Sequence, residues 1–448
     1  MNLQAQAILT MTNFIMTEHQ GNFITGTTAK YITLTSCTFE NITQNISEPF
    51  VHLIGKGSTP YQHTISTSIF RNITVRNSLF LLENAAGYLT FNNNLMTNIY
   101  KISLTKTQKT VTDLSYESYL PSGGICFMGM IAAGIRATSS NFTNIHSHCI
   151  GLYQSILSLT SCIFDNSGLA SQYESSLKNT SLTDSDGVTF VTFKDGTTDI
   201  NPGSLLALTS NTFINNVRYP KYGGAMKFIG TFSIIVNFIT NNFTGMGALY
   251  GGAIYCENPL AGLTFTSDNF QNNVAILGGA AYKATQETAT LLKLSTQTIY
   301  FSGVTFNENV ATKKGGAIYL AYETLGLYNS FINGNTAVNG GAIYFIKQNP
   351  YAAVQSQIGN NNFTANIASN SGGAIKLLFN YYDILDNTTS ESNFTDNADF
   401  KGLAVSDGIP SYYTISFYDV LTDEEESALE DFTTWITNPN KTVLIYLI

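Results

Sequence analysis

From residue 213 onward, short runs rich in Phe, Tyr, Ile, Val and Thr alternate with turns built from Gly and Asn. No run carries the 3.6-residue spacing of an amphipathic helix, so each reads as a short β-strand. "GGAIYLAYETLGLYNSFINGNTAVNGGAIYF", from Gly315 to Phe345, begins and ends on nearly the same letters. The pattern continues. Glycine pairs begin at Gly223, Gly251, Gly278, Gly315, Gly340 and Gly372, with a degenerate copy at Gly402. Eight to ten residues before each stands a Phe: Phe213, Phe243, Phe270, Phe306, Phe331, Phe363 and Phe394. An Asn follows several of them by three residues, as in Asn216, Asn273, Asn309, Asn366 and Asn397. Upstream the glycine signal fades, but Phe14, Phe39, Phe70, Phe142 and Phe164 carry the rhythm on, with Leu95 in the Phe place once.

A repeat of 25 to 37 residues made of short strands predicts a solenoid, because no single unit can bury its apolar face alone. The fold class expected is all-β: a single-stranded parallel β-helix of about a dozen coils over residues 1–414. Polar inserts are expected near 101–122 and 171–204, where the spacing between Phe positions stretches. Residues 415–448, "TDEEESALEDFTTWITNPNKTVLIYLI" in the main, read as a short acidic helix followed by a strand, forming a C-terminal cap or assembly segment.

Alternation assigns faces. After Ile in Gly-Gly-Ala-Ile comes Tyr255, Tyr319 or Tyr344, with Tyr282 equivalent, but Lys227 and Lys376 elsewhere. A column that accepts Lys is expected to face solvent, which sends Met226, Ile254, Ile318, Ile343 and Ile375 inward. Phe228, Cys256, Leu320, Phe345 and Leu377 go inward with them. The glycines supply either a turn conformation closed to other residues or a close backbone approach. The Asn after Phe suits a turn in which amides ladder along the stack.

"FxxN…GGAI" resembles the polymorphic outer membrane protein repeat of chlamydial surface autotransporters and large extracellular protist proteins. The resemblance runs clearly from about Phe213 to Ser406 and more weakly upstream. It implies a right-handed β-helix displayed at a surface, often linked to adhesion. The bacterial members end in a membrane barrel, which nothing in this sequence matches.

Composition narrows the function. Charged residues are 11% of the chain and net charge is −9, so no basic patch exists to hold nucleic acid. No run reaches the ~18 apolar residues of a membrane helix, and "MNLQAQAILTMTNF" lacks the basic flank of a signal peptide. Ten Asn-x-Ser/Thr sequons occur, at Asn41, Asn45, Asn72, Asn141, Asn179, Asn242, Asn362, Asn387, Asn393 and Asn440. Asn141, Asn242, Asn362 and Asn393 each precede a column Phe, so they are expected to line one exposed edge and carry N-linked glycans. The Tyr column, Tyr255, Tyr282, Tyr319 and Tyr344, is a candidate strip for stacking on sugars or another subunit, against the simpler reading of a self-stabilising stack.

Catalysis on polysaccharides would need carboxylates clustered on neighbouring coils. Asp165, Asp268, Asp383 and Asp396 fall at different offsets from their Phe, so no catalytic site is expected. "DSDG" at 184–187 with Asp195 and Asp199 lacks the closing Glu of a calcium loop, and His146, His148 and Cys149 lack a second ligand pair. No metal or cofactor is therefore expected. Cys37 and Cys162 read as core residues, and Cys126 and Cys149 stand about one coil apart at different offsets from their glycines. The reading is a non-catalytic extracellular or cell-surface glycoprotein, self-associating end to end into a filament or matrix. A glycan-binding adhesin is the alternative and a polysaccharide-degrading β-helix a more distant one.

Overall fold

The computed structural model describes residues 2–399 apart from connecting segments, the longest being 102–125, 168–188, 193–205, 286–297 and 378–391. The expected helix and strand of 415–448 lie outside the described residues. So do Asn45, Asn179, Asn216, Asn387, Asn440, Asp383, the acidic 184–187 stretch and the Gly402 repeat copy.

The described strands are parallel and form three long sheets of 13, 12 and 13 strands, each visited in turn by successive coils. This is a parallel β-helix. One coil runs through Ile318–Ala321 in the first sheet, Thr324–Tyr328 in the second and Phe331–Asn333 in the third. It then adds Thr336–Asn339 before the next coil opens with Ile343–Phe345. Ile318, Tyr319 and Leu320 pair with Ile343, Tyr344 and Phe345, so the two halves of the repeated pentapeptide lie directly on one another.

The core is a set of columns. Phe142, Phe164, Phe213, Phe243, Phe270 and Phe306 stack with centroids 4.6–5.1 Å apart and rings within 10° of parallel. Phe238, Phe265 and Phe301 form a second stack from the second sheet. Each fully buried Phe contributes roughly 1.5–3 kcal/mol, so the repeat itself supplies much of the cohesion. Three column assignments differ from the sequence expectation. Met96, not Leu95, pairs with Phe70 and Phe142. Ile332, not Phe331, pairs with Phe306 and Phe363, while Phe331 points outward and is 57% exposed. Phe14 also stands outside the register, where Met16 is the partner of Phe39.

The two glycines of a pair do different work. Gly315 has φ 66°, a left-handed conformation, and a Cβ there would meet Ile318 O at 2.2 Å. Gly316 has no such φ, but its Cβ would stand 2.0 Å from Gly341 O in the next coil. Both expectations for the glycines are therefore realised, one by each residue. The pairs from Gly278 to Gly372 each follow a strand of a fourth, five-stranded sheet that begins at Val274–Leu277 and includes Thr336–Asn339, while the Gly223 and Gly251 pairs follow isolated bridges at Tyr222 and Tyr250. Coils upstream of Tyr222 show neither those strands nor those bridges among the described residues, and there the glycine signal fades.

Neither long gap between Phe positions hides a coil. Met96 pairs directly with Phe142, and Phe164 directly with Phe213. The span expected as one insert at 171–204 is interrupted, however. Thr189–Thr192 is a first-sheet strand, paired with Ile150–Tyr153 on one side and Met226–Ile229 on the other.

Candidate functional site

The outer face of the third sheet carries the sequons. Asn141, Asn242, Asn362 and Asn393 occupy one column, and Asn362 pairs with Asn393 in the adjacent coil. Asn141 and Asn393 are exposed and Asn242 and Asn362 half-buried, so the edge expected from alternation exists. In both half-buried sequons the Thr hydroxyl donates to the Asn side-chain oxygen at 2.9 Å. Asn41 and Asn72 are also exposed but belong to another line, with left-handed φ of 55° and 53°. There Asn72 Nδ2 donates to Asn41 Oδ1, Asn98 to Asn72, Asn144 to Asn98 and Asn166 to Asn144, at 2.6–3.2 Å. The sequence reading missed this ladder. Its signal is an Asn two residues after the column position rather than three.

The Tyr column stacks as the repeat implies, with neighbouring rings 4.9–5.6 Å apart and within 10° of parallel. It faces away from the main core but is not exposed, which corrects the expectation of a solvent-facing strip. Tyr255, Tyr319 and Tyr344 are 4%, 7% and 0% accessible, and Lys227 and Lys376 are buried too. Outward is not the same as wet here. Leu277, Tyr322 and Ile346 pack with the Tyr column into a second, smaller apolar layer. The lysines lie beside aromatic faces: Lys314 and Lys376 stand 5.1 and 5.5 Å from the Tyr344 ring, and Lys227 4.7 Å from Tyr222. Burial pushes the Tyr255 phenol well above its ordinary pKa, and the hydroxyl donates to Glu257 at 3.0 Å.

Beneath the surface, side-chain amides tie the coils together. Asn273, Asn309, Asn335 and Asn366 each donate from Nδ2 to the next Asn oxygen, ending at Asn397, at 2.8–2.9 Å. Each also donates to the carbonyl of the column residue one coil back, as Asn309 does to Phe270 O. The expected Asn ladder is thus present, and fully buried at Asn273 through Asn366. A second ladder occupies the corner between the second and third sheets, through Asn211, Asn241 and Asp268.

Two buried ionisable sites stand out: Lys283 with Glu323, which the sequence reading passed over, and Asp268, which it took only as one of several unaligned carboxylates. Lys283 occupies the inward column between Cys256 and Leu320, and its ammonium pairs with Glu323, both groups being wholly buried. Thr285 Oγ1 donates to the other Glu323 oxygen at 2.6 Å. Burial raises the Glu323 carboxyl above its ordinary value, against the pull of Lys283. A lone Lys in an apolar column, with a Glu one coil on, is the trace it leaves in the sequence. Asp268 is the other: burial pushes it up to about 7, opposed by donors from Asn241 and Thr266.

The remaining candidates do not converge. Asp165 lies on the outer face of the third sheet, Asp268 in the buried corner and Asp396 in a left-handed turn. Among the described residues, no group of three or more His, Cys, Asp or Glu could hold a metal. His146 instead stacks on Tyr100, centroids 4.6 Å apart. Cys37 and Cys162 are buried, as expected.

Comparison with known proteins follows the same line. Residues 303–321, which hold Phe306 and the Gly315 pair, match the Chlamydia polymorphic membrane protein (Chlamydia_PMP) repeat. A probable outer membrane protein, pmp13, of Chlamydia pneumoniae is 31% identical over 139 residues, covering 31% of this chain. Those residues span 12% of that relative's length. No solved structure matches the chain. The chain is thus a repeat protein similar to the chlamydial polymorphic membrane proteins, built as a parallel β-helix.

Proposed function

We propose that the chain is a non-catalytic structural element of a cell surface or extracellular matrix. The observation that carries this reading is where the repeat's own letters go. Phe, Gly-Gly and the third-position Asn are consumed in stacking coils, and from Thr212 to Thr395 the outer columns of the third sheet are mostly Asn and Thr, interrupted by Ile214, Gln271 and Phe331. Repetition of this kind selects for length and regularity rather than for a reacting centre. The likeness to an outer membrane protein supports a surface location. Antibodies against the third-sheet face are expected to label intact producing cells, and protease added outside is expected to remove that signal. Labelling only after permeabilisation would overturn the reading.

Two finer features belong to it. The sequons at Asn41, Asn72, Asn141, Asn242, Asn362 and Asn393 carry N-linked glycans, for which their exposed or half-buried column positions are the support. The coils also stack end to end between molecules, since backbone groups on a terminal coil pair when another coil docks on them. Glycopeptide mass spectrometry reads the first, and negative-stain microscopy of concentrated protein the second. The adhesin alternative keeps less support, because the Tyr column offered for sugar stacking is buried. A glycan array probes it directly.

A further inference from the structure

We propose that Cys126 and Cys149 form a disulfide bond that staples two neighbouring coils of the first sheet. Different offsets from the glycines conceal their relation in the sequence, but the register makes them neighbours. Phe127 pairs with Ile150, so the cysteines immediately before them stack. Cys126 N donates to Cys149 O at 3.0 Å, and the two thiols hydrogen-bond to each other. Neighbouring strands stand ~4.8 Å apart, within the roughly 4.4–6.8 Å Cα separation that a disulfide spans. The other cysteines have no such stacked partner. Cys256 lies between Phe228 and Lys283. Cys37 has Ser68 above it, and Cys162 has Asn211.

The bond closes before the coils do. Both thiols are wholly buried once folded, and burial followed by the Cys126 hydrogen bond raises the Cys149 pKa, which suppresses the reactive thiolate. During folding, the Cys126 thiolate attacks a sulfur of a small-molecule or protein disulfide and expels one thiolate. Cys149 thiolate then attacks the Cys126 sulfur and expels the second. Two thiols thereby lose two protons and two electrons, and the oxidant is reduced to two thiols. The finished bond is shielded from reductant by the same burial. The oxidising surroundings it requires in the cell rest on the surface reading above.

The full chain is refolded with oxidised and reduced glutathione, alkylated with iodoacetamide in denaturant without reductant, and digested for mass spectrometry. A Cys126–Cys149 linked peptide is expected, with Cys37, Cys162 and Cys256 alkylated. Alkylation of both Cys126 and Cys149, or linkage of either to another cysteine, overturns the proposal. Oxidised protein should outlast its reduced form under protease by about tenfold or more. C126S and C149S should abolish that difference, and C256S should keep it. Because this refolding is done in vitro, its outcome is independent of location. Protein taken from cells then separates the two readings: surface-exposed chain with both thiols free contradicts the staple, whereas intracellular chain contradicts the surface assignment.

Discussion

Asp268 stands where Asn211 and Asn241 stand in the preceding coils, and its carboxylate accepts from Asn241 N, Asn241 Nδ2 and Thr266 N at 2.6–2.9 Å. An Asn there would keep the two bonds from Asn241 on its one oxygen, give up the bond that the second carboxylate oxygen accepts from Thr266 N, and use its amide as a donor, as Asn241 Nδ2 does toward Leu208 O. The ionised Asp cannot donate, and the partners named are neutral, so its charge is held without a counter-ion among them. The folded carboxyl titrates near 7, against an ordinary 3.8. Between those values the folded chain holds a proton that the unfolded chain has released, so this site's stability is complete below 3.8 and lost as pH rises to about 7. Asp268→Asn is expected to remove that dependence and raise the unfolding midpoint most at alkaline pH, by an effect on the order of a few kcal/mol. Unfolding of both proteins across a pH series checks this. A gain that stays constant with pH would contradict it.

Between elements, the Lys283–Glu323 pair joins a first-sheet strand to the corner of the next coil, where Tyr322 turns through φ 57° into Thr324–Tyr328. Removing one partner leaves a buried charge and should cost roughly 3–5 kcal/mol, whereas replacing both with apolar groups of similar volume should be nearly neutral. Lys283→Met and Glu323→Leu are each expected to lower the urea midpoint strongly, and the double variant to recover most of the loss. Additive losses would contradict a paired site. The strands themselves are legible in the sequence because Phe and Gly-Gly recur in phase. What misleads is local ambiguity. In Leu95–Met96 and Phe331–Ile332 both letters are apolar, and alternation by two cannot choose which turns inward. The Lys-bearing column reads as exposed because a sequence shows which side of a strand a residue takes, not whether a second layer covers that side. Lys283 passes unnoticed because one charged residue in a column says nothing until its partner a coil away is known.

At the scale of the molecule, the structure is nearly one-dimensional: each coil rests on its neighbours, and length grows by one strand spacing per coil. The Phe rhythm alone leaves two lengths open, because each long gap could hold an insert or an extra coil. Direct pairing of Met96 with Phe142 and of Phe164 with Phe213 selects inserts. The proposed surface role depends on this continuity, since a rod interrupted at either gap would not present one unbroken face. The third sheet crosses both places, and its sequon column, which begins at Asn141, crosses the second. The most direct measurement is the distance between spin labels at Thr33 and Thr264, outward positions on the second sheet, attached through a keto amino acid so that the buried cysteines stay untouched. Seven strand spacings separate them in the stack, which predicts a single narrow distance distribution near 34 Å, about 4.8 Å per spacing. A distribution centred near 43 Å, with an extra coil at each gap, or one too broad to define a distance, would contradict the continuous β-helix.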